Sequence, residues 1–245
     1  MIPAFVISLP SNSDRRQTIA ERLRKIGVTF EFVDGIDGRS GLDRKYEVEI
    51  DRQKAKDLNW PLTDAEFACA LSHIKVYKKV VELNIPYALI LEDDAIPKPE
   101  LTTFLESKYF KGADLIQVQY FKTYVRPSSE SHIFGHYNSY KKITKAGGAS
   151  GYIISNQAAK QIIENAVPVY SAADWPNITN HLNIRLIYPP LVRHSTKHEA
   201  ASVIGERVSP RRRKFLGVSF TVVPFSRFWL MLTAKRIPKS RDLNF

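Results

Sequence analysis

Tyr87-Ala88-Leu89-Ile90-Leu91-Glu92-Asp93-Asp94 is an unbroken apolar run that stops on three carboxylates. Five continuous apolar residues are too few for a buried helix and mark a central strand. Three adjacent carboxylates at the end of a buried strand repel one another, which raises at least one pKa and destabilises the fold unless a counter-ion is present. A hard divalent cation removes that penalty. In extended chain, residues 92 and 94 project to one side, so the expectation is that Glu92 and Asp94 share one Mg²⁺ or Mn²⁺ while Asp93 turns away or binds through a neighbour. Such cations take oxygen ligands and commonly bridge diphosphates. A solvated acidic turn ahead of Pro97 is the competing account of these three residues, and their position after a strand favours the metal.

Upstream, Thr63-Asp64-Ala65-Glu66 is a capping box. Phe67, Ala70, Leu71, Ile74, Tyr77 and Val81 form an apolar stripe behind it, so a helix is expected from about Asp64 to Leu83. Glu66, Cys69 and His73 are spaced three and four apart and share its other face, which has no apolar task. Nearer the start, Pro3–Leu9 reads as a strand, and Ser11 with Asp14 resembles a capping box for a helix carrying Ile19, Leu23 and Ile26. Gly27 closes that helix, and Thr29–Val33 is a second strand. Strand, helix and strand suggest a βαβ crossover, the unit of nucleotide-binding sheets. Asp34-Gly35-Ile36-Asp37-Gly38 then falls at a carboxyl strand end, where open sheets place ligands, with two glycines permitting a tight turn.

Between these, Arg39–Trp60 reads as a loop or irregular helix. Downstream, a short helix is expected near Leu101–Glu106 and a strand over Leu115–Gln119. Tyr120–Tyr140 reads as a long loop or hairpin, and Gly147–Gly151 as a flexible turn into a Tyr152–Ile154 strand. Ser155 caps a helix through about Asn165, and Ile184–Tyr188 is the last expected strand. The fold class is therefore α/β. Its 245 residues, 44% of them apolar, suffice for a large core.

Charge is placed unevenly within the net +11. Residues 206–245 carry ten basic residues against Glu206 and Asp242, so this segment holds +8 and the rest of the chain +3. We divide the chain into a domain over 1–205 and a basic, aromatic segment over 206–245. Phe215–Leu232 is apolar but carries Pro224 and Arg227, which suits an interfacial segment on anionic lipid better than a membrane span. A packing segment with a solvated basic rim is the alternative. Cys69 is the only cysteine, which excludes an internal disulfide and suits a reducing cytoplasm. Met1–Pro10 lacks a basic start and is a poor secretory signal.

Several stretches together resemble a known family. They are Phe5-Val6-Ile7-Ser8-Leu9 with Arg15-Arg16, then Phe32–Gly38, Glu66-Phe67-Ala68-Cys69-Ala70-Leu71-Ser72-His73, Ala88–Asp94, and Gly147–Tyr152 followed by Ile153-Ile154-Ser155. In this order they resemble the family 25 glycosyltransferases, which include lipooligosaccharide galactosyltransferases of Gram-negative bacteria and the collagen galactosyltransferases. The resemblance covers roughly residues 1–200 and leaves the basic segment outside. It implies a GT-A-like, Rossmann-like, mostly parallel sheet flanked by helices. It also implies a UDP-sugar donor, a carboxylate motif gripping Mn²⁺ or Mg²⁺, and inversion at the anomeric carbon.

Mapped onto this chain, the resemblance puts the metal on Asp94 with Glu92 or Asp93, and on His194 as a late histidine ligand. An ordinary surface role for His194 stays open, and His198 lies four residues on. Ser8, Leu9, Arg15 and Arg16 are expected near the uridine or phosphates, and Asp34 and Asp37 near the nucleoside. Asp93, Gly148 and Ser150 also fall on the donor side. Ala68 stands where glycine is common in the family, with a slight packing change expected. Inversion needs a base away from the metal. Asp174 in Ala173-Asp174-Trp175-Pro176 is the candidate, beside an indole able to stack on a sugar; a turn cap before Pro176 is the bland alternative. Glu66 and His73 are in reserve.

The expected activity is transfer of a hexose, galactose by the resemblance, to a lipooligosaccharide or lipopolysaccharide acceptor. The expected place is the cytoplasmic face of the inner membrane of a Gram-negative bacterium, with no nucleic-acid partner. Arg39–Trp60 and Tyr120–Tyr140 are expected to shape acceptor choice. A polyanion- or anionic-lipid-binding module acting through the basic segment, and a metal-dependent nucleotidyltransferase, are the competing classes.

Overall fold

The computed structural model describes residues 1–58, 61–121, 123–142, 148–174, 179–194 and the strand Lys235–Ile237. The N-terminal unit is as its periodicity predicts. Strand β1 (Ala4–Ser8) leads into helix α1 (Ser13–Lys25), and β2 (Glu31–Asp34) returns parallel to β1. Gly27 leaves the helix at φ +72°, the left-handed turn that a residue without a Cβ adopts cheaply. The expected Ser11 cap is not made. Asn12 occupies the N-cap position without a side-chain capping bond, and the Ser11 hydroxyl instead accepts from Arg39 at 3.1 Å.

Arg39–Trp60 contains a 3₁₀ turn over Arg44–Glu49 and a short helix, α2 (Arg52–Asp57). Helix α3 (Asp64–Glu82) then carries the capping box as read. The Thr63 hydroxyl accepts from the Glu66 amide at 3.2 Å, and the Glu66 carboxylate accepts from the Thr63 amide at 2.9 Å. Thr63→Ala removes one half of this reciprocal pair, and thermal unfolding should show a loss of about 1 kcal/mol.

Strand β3 (Tyr87–Glu92) pairs parallel to β1, with Ile7 opposite Glu92. After a turn at Asp93 and Asp94 the chain continues as β4 (Ala95–Pro97) and α4 (Glu100–Ser107). Strand β5 (Leu115–Gln117) stops two residues short of the expected end. Tyr120–Tyr140 forms β6 (Thr123–Val125), β7 (Ser131–Phe134) and β8, which runs on to Lys141 from Tyr137. Strand β9 (Gly151–Ser155) feeds α5 (Asn156–Ala166), whose Ala158 amide is capped by the Ser155 hydroxyl. Beyond β10 (Ile184–Tyr188) there is a further strand, β11 (Val192–His194).

The main sheet runs β2-β1-β3-β9-β5-β10-β8-β7. It is mixed: β2, β1 and β3 are parallel, as are β5 and β10, while β9, β8 and β7 join their neighbours antiparallel. Helices cover both faces. Ala88 and Ile90 pack with Phe67, Ile74 and Ile162 of α3 and α5, whereas Leu89 and Leu91 pack with Leu23 and Phe104 of α1 and α4. Strand β3 is thus buried on both faces, which is why its sequence is apolar without alternation.

A second ribbon pairs β4 with β11 antiparallel, Ala95 opposite His194, and hangs His194 next to the end of β3. Of the basic C-terminal segment, the described part is β12 (Lys235–Ile237), which pairs antiparallel with β6. The interfacial stretch Phe215–Leu232 lies outside the described residues. Among the described residues no helix is long and apolar enough to cross a membrane.

Candidate functional site

The acidic triplet does not act as one unit. Because β3 ends at Glu92 and the chain turns at Asp93, the alternation expected of an extended chain does not carry through to Asp94. Glu92 faces inward. Its carboxylate lies 3.2 Å from His73 Nε2 on α3 and accepts at 3.2 Å from the Ser150 hydroxyl at the entry to β9. Burial raises the Glu92 pKa, but His73, His194 and Ser150 together outweigh it and leave the carboxyl below its ordinary range.

Asp93 and Asp94 face the first turn of α1. Asp93 accepts from the Ser8 hydroxyl at 2.7 Å and pairs with the Arg15 guanidinium at 2.5 Å; the same guanidinium lies 3.4 Å from Asp94. Burial and the neighbouring carboxylates push the Asp93 pKa up, against the pull of Ser8 and Arg15. The Asp94 oxygen that meets Arg15, Oδ2, also lies 3.0 Å from His194 Nε2. Asp94 Oδ1 is buried and has no hydrogen-bond partner among the described residues.

A carboxylate oxygen buried without a partner is costly and calls for an explanation. Here a carboxylate with a bare lone pair stands beside a second carboxylate and an imidazole. Oxygen and neutral nitrogen donors of this kind suit Mn²⁺ or Mg²⁺. The residues present therefore fit a divalent cation held by Asp94 and His194 with Asp93 alongside. Glu92, expected in that set, turns instead toward His73 and Ser150.

These groups line a cavity of about 140 Å³ bounded by the ends of β1 and β3, the 35–39 loop and α3. Ser8, Leu9, Arg15, Asp37, Asp93 and His194 all border it. Arg16, Asp34, Gly148 and Ser150 are not among its lining residues. Arg16 points away, paired with Asp34 at 2.5 Å and stacked over the Phe32 ring at 4.5 Å. Asp34 lines a separate surface groove between β2 and α3. Ser150 reaches the site through Glu92, and Gly148 packs against the Gln119 amide, so close that a Cβ would lie 2.7 Å from Gln119 Oε1.

The face of α3 read as lacking an apolar task is buried. Glu66 is 6% exposed and His73 fully enclosed. His73 Nδ1 is 2.7 Å from the Tyr152 hydroxyl, itself 2.7 Å from the Tyr77 hydroxyl. Periodicity alone gave no sign of Tyr152 or of Ser72, whose hydroxyl accepts the Ile36 amide at 2.8 Å and ties the 35–39 loop to α3.

Asp174 sits apart, in a smaller cavity with Lys142, Gln117, Tyr77 and Tyr152. Trp175, Pro176 and His198 lie outside the described residues, as does Gly147. Burial lowers the Lys142 pKa to about 8, with Asp174 opposing the shift. Between about 8 and the ordinary 10.5 the unfolded chain binds the extra proton, so the Lys142 contribution makes stability rise with pH across that window. Lys142→Met should flatten this rise, as read by denaturant titrations at either end of the window.

Residues 1–175 match the family described as glycosyltransferase family 25 (LPS biosynthesis protein). A putative glycosyltransferase of Haemophilus influenzae is 33% identical over 171 residues, covering 65% of this chain and 56% of that protein. The lipooligosaccharide biosynthesis protein lic2B of H. influenzae is 28% identical over 172 residues, covering 64% and 61%. Procollagen galactosyltransferase 1-B of Xenopus laevis is 30% identical over 95 residues, covering 37% of this chain and 15% of that one. The matched stretch thus spans less than two thirds of the bacterial relatives' length. The match covers β1, α3, β3 and the start of the 173–176 segment, every element that builds the cavity except β11, and on that ground the chain belongs to glycosyltransferase family 25.

Proposed function

We propose that this protein is an inverting glycosyltransferase that moves a hexose, galactose first among the candidates, from a UDP-sugar to a lipooligosaccharide acceptor. The observation that carries the reading is the unpartnered Oδ1 of Asp94, a residue just past the carboxyl end of the central strand whose Oδ2 meets both Arg15 and His194. Family membership supports sugar transfer. The name of the lic2B relative supports the acceptor class, and that of the procollagen relative supports galactose.

Asp94 and His194, with Asp93, would hold Mn²⁺ or Mg²⁺, which when bound supplies positive charge against the departing diphosphate. Arg15 adds a fixed positive charge at the same wall, oriented by Asp93. Leu9 and the 35–39 loop shape the cavity for the nucleoside, with Asp37 turned to Arg39. For the base, His73 has both ring nitrogens engaged and Glu66 closes the α3 cap. Asp174 is the carboxylate that remains for taking the acceptor hydroxyl proton. The +8 carried by residues 206–245 would draw the protein to the anionic inner face of the membrane where such acceptors are built.

Calorimetric titration with UDP tests the reading. Binding is expected with Mn²⁺ present and is expected to fall at least tenfold after chelation. Equal UDP affinity with and without the cation would overturn it.

A further inference from the structure

The cavity that Arg15 borders holds a second set of donors. Cys69, His73 and Glu92 bring Sγ, a ring nitrogen and a carboxylate oxygen within 4.8 Å of one another. All three border the cavity. We propose that Cys69, His73 and Glu92 form a second cation site, distinct from Asp94 and His194, that takes a borderline-soft ion such as Zn²⁺. One thiolate, one imidazole and one carboxylate, with a fourth direction open, is donor chemistry that zinc accepts and that Mg²⁺ does not favour.

The surroundings are arranged as a metal's outer shell would be. A ligating histidine gives its second ring N–H to an oxygen, which fixes the ring. Here Nδ1 faces the Tyr152 hydroxyl at 2.7 Å while Nε2 faces Glu92. The Tyr152 ring stacks on His73 at 5.8 Å and 26° between planes, so the imidazole cannot swing away. Either of the Tyr152 and Tyr77 hydroxyls can donate to the other, so Nδ1 can carry the imidazole proton and leave the Nε2 lone pair for the ion, which replaces the Nε2 contact with Glu92. Ser150 holds the other Glu92 oxygen.

Without a cation, burial and the surrounding carboxylates of Glu92 and Asp94 keep the Cys69 thiol well above its ordinary pKa. The same carboxylates favour a divalent ion. On binding, the S–H proton passes to solvent and the sulfur electron pair goes to zinc, so one proton leaves per ion bound.

Because Cys69 is the sole cysteine, every thiol signal from this protein reports on this site. Cobalt(II) serves as the optical probe. The nucleotide-free protein should show a thiolate-to-cobalt charge-transfer band that zinc displaces, that disappears in Cys69→Ser and that persists in Asp94→Asn. Calorimetry of zinc binding at pH 8 in two buffers of different ionisation enthalpy should give one proton released per ion in the unmodified protein, which needs no variant to fold. No thiolate band, no proton release, or loss of the band in Asp94→Asn overturns the proposal. UDP binding with manganese is a separate measurement, so either inference can fail alone.

Discussion

Asp94→Asn should lower sugar transfer about a thousandfold, several kcal/mol of transition-state stabilisation, while the protein melts at or slightly above the parent temperature. The two halves of this expectation have one cause. Asp94 is 8% exposed and shares its neighbourhood with two other carboxylates. Removing one negative charge relieves repulsion among them, and the amide keeps the shape that packs against Arg15 and His194. A residue kept for catalysis at some expense to the fold behaves this way, whereas one kept for stability shows the reverse. The amide is a poorer ligand for a hard cation and no longer offsets the ion's charge, so donor affinity in the presence of Mn²⁺ should fall with turnover. Measured transfer within a few fold of the parent, in a protein of unchanged melting temperature, would remove Asp94 from the proposed mechanism.

The same three residues show how far the chain could be read before its structure was known. Strand β3 was legible because burial on both faces leaves a continuous apolar run, and helix α3 because Thr63 and Glu66 write its start into four residues. The division of labour within the triplet was not legible. The two-residue alternation of a strand assigns Glu92 and Asp94 to one side, and it fails because β3 ends at Glu92 and the chain turns at Asp93. What draws Glu92 inward is His73, nineteen residues upstream on a helix face whose burial depends on the later strand β9. His194 was reached through the family resemblance. Its geometric cause is the β4–β11 ribbon, a pairing between residues about a hundred positions apart that no local pattern records. Arg16 and Asp34 were placed near the donor in sequence, but they pair with each other away from its cavity.

Gly38→Ala should carry the larger penalty to the fold itself. Gly35 and Gly38 looked like paired turn glycines, yet neither has the positive φ that would demand one. Gly38 is needed for close approach. A Cβ there would overlap the Asp64 carbonyl oxygen and lie 2.7 Å from the Asp64 carbonyl carbon and 2.8 Å from the Ala68 Cβ. Those atoms belong to the first two turns of α3, which is anchored by its capping box and cannot rotate aside as a side chain would. The loop must move instead, and overpacking of this kind costs about 1–3 kcal/mol. For a chain of this size that lowers the melting temperature by about 2–4 °C per kcal/mol. The displaced loop also carries Ile36, held by Ser72, and Asp37 at the cavity rim, so UDP affinity should weaken even below the melting transition. Gly35→Ala supplies the contrast. Its added methyl meets Leu9 and the Ser8 backbone at 3.4 and 3.5 Å, ordinary contact distances for which little change is expected. If the two substitutions destabilise equally, backbone freedom and not the approach of loop to helix is what these glycines provide.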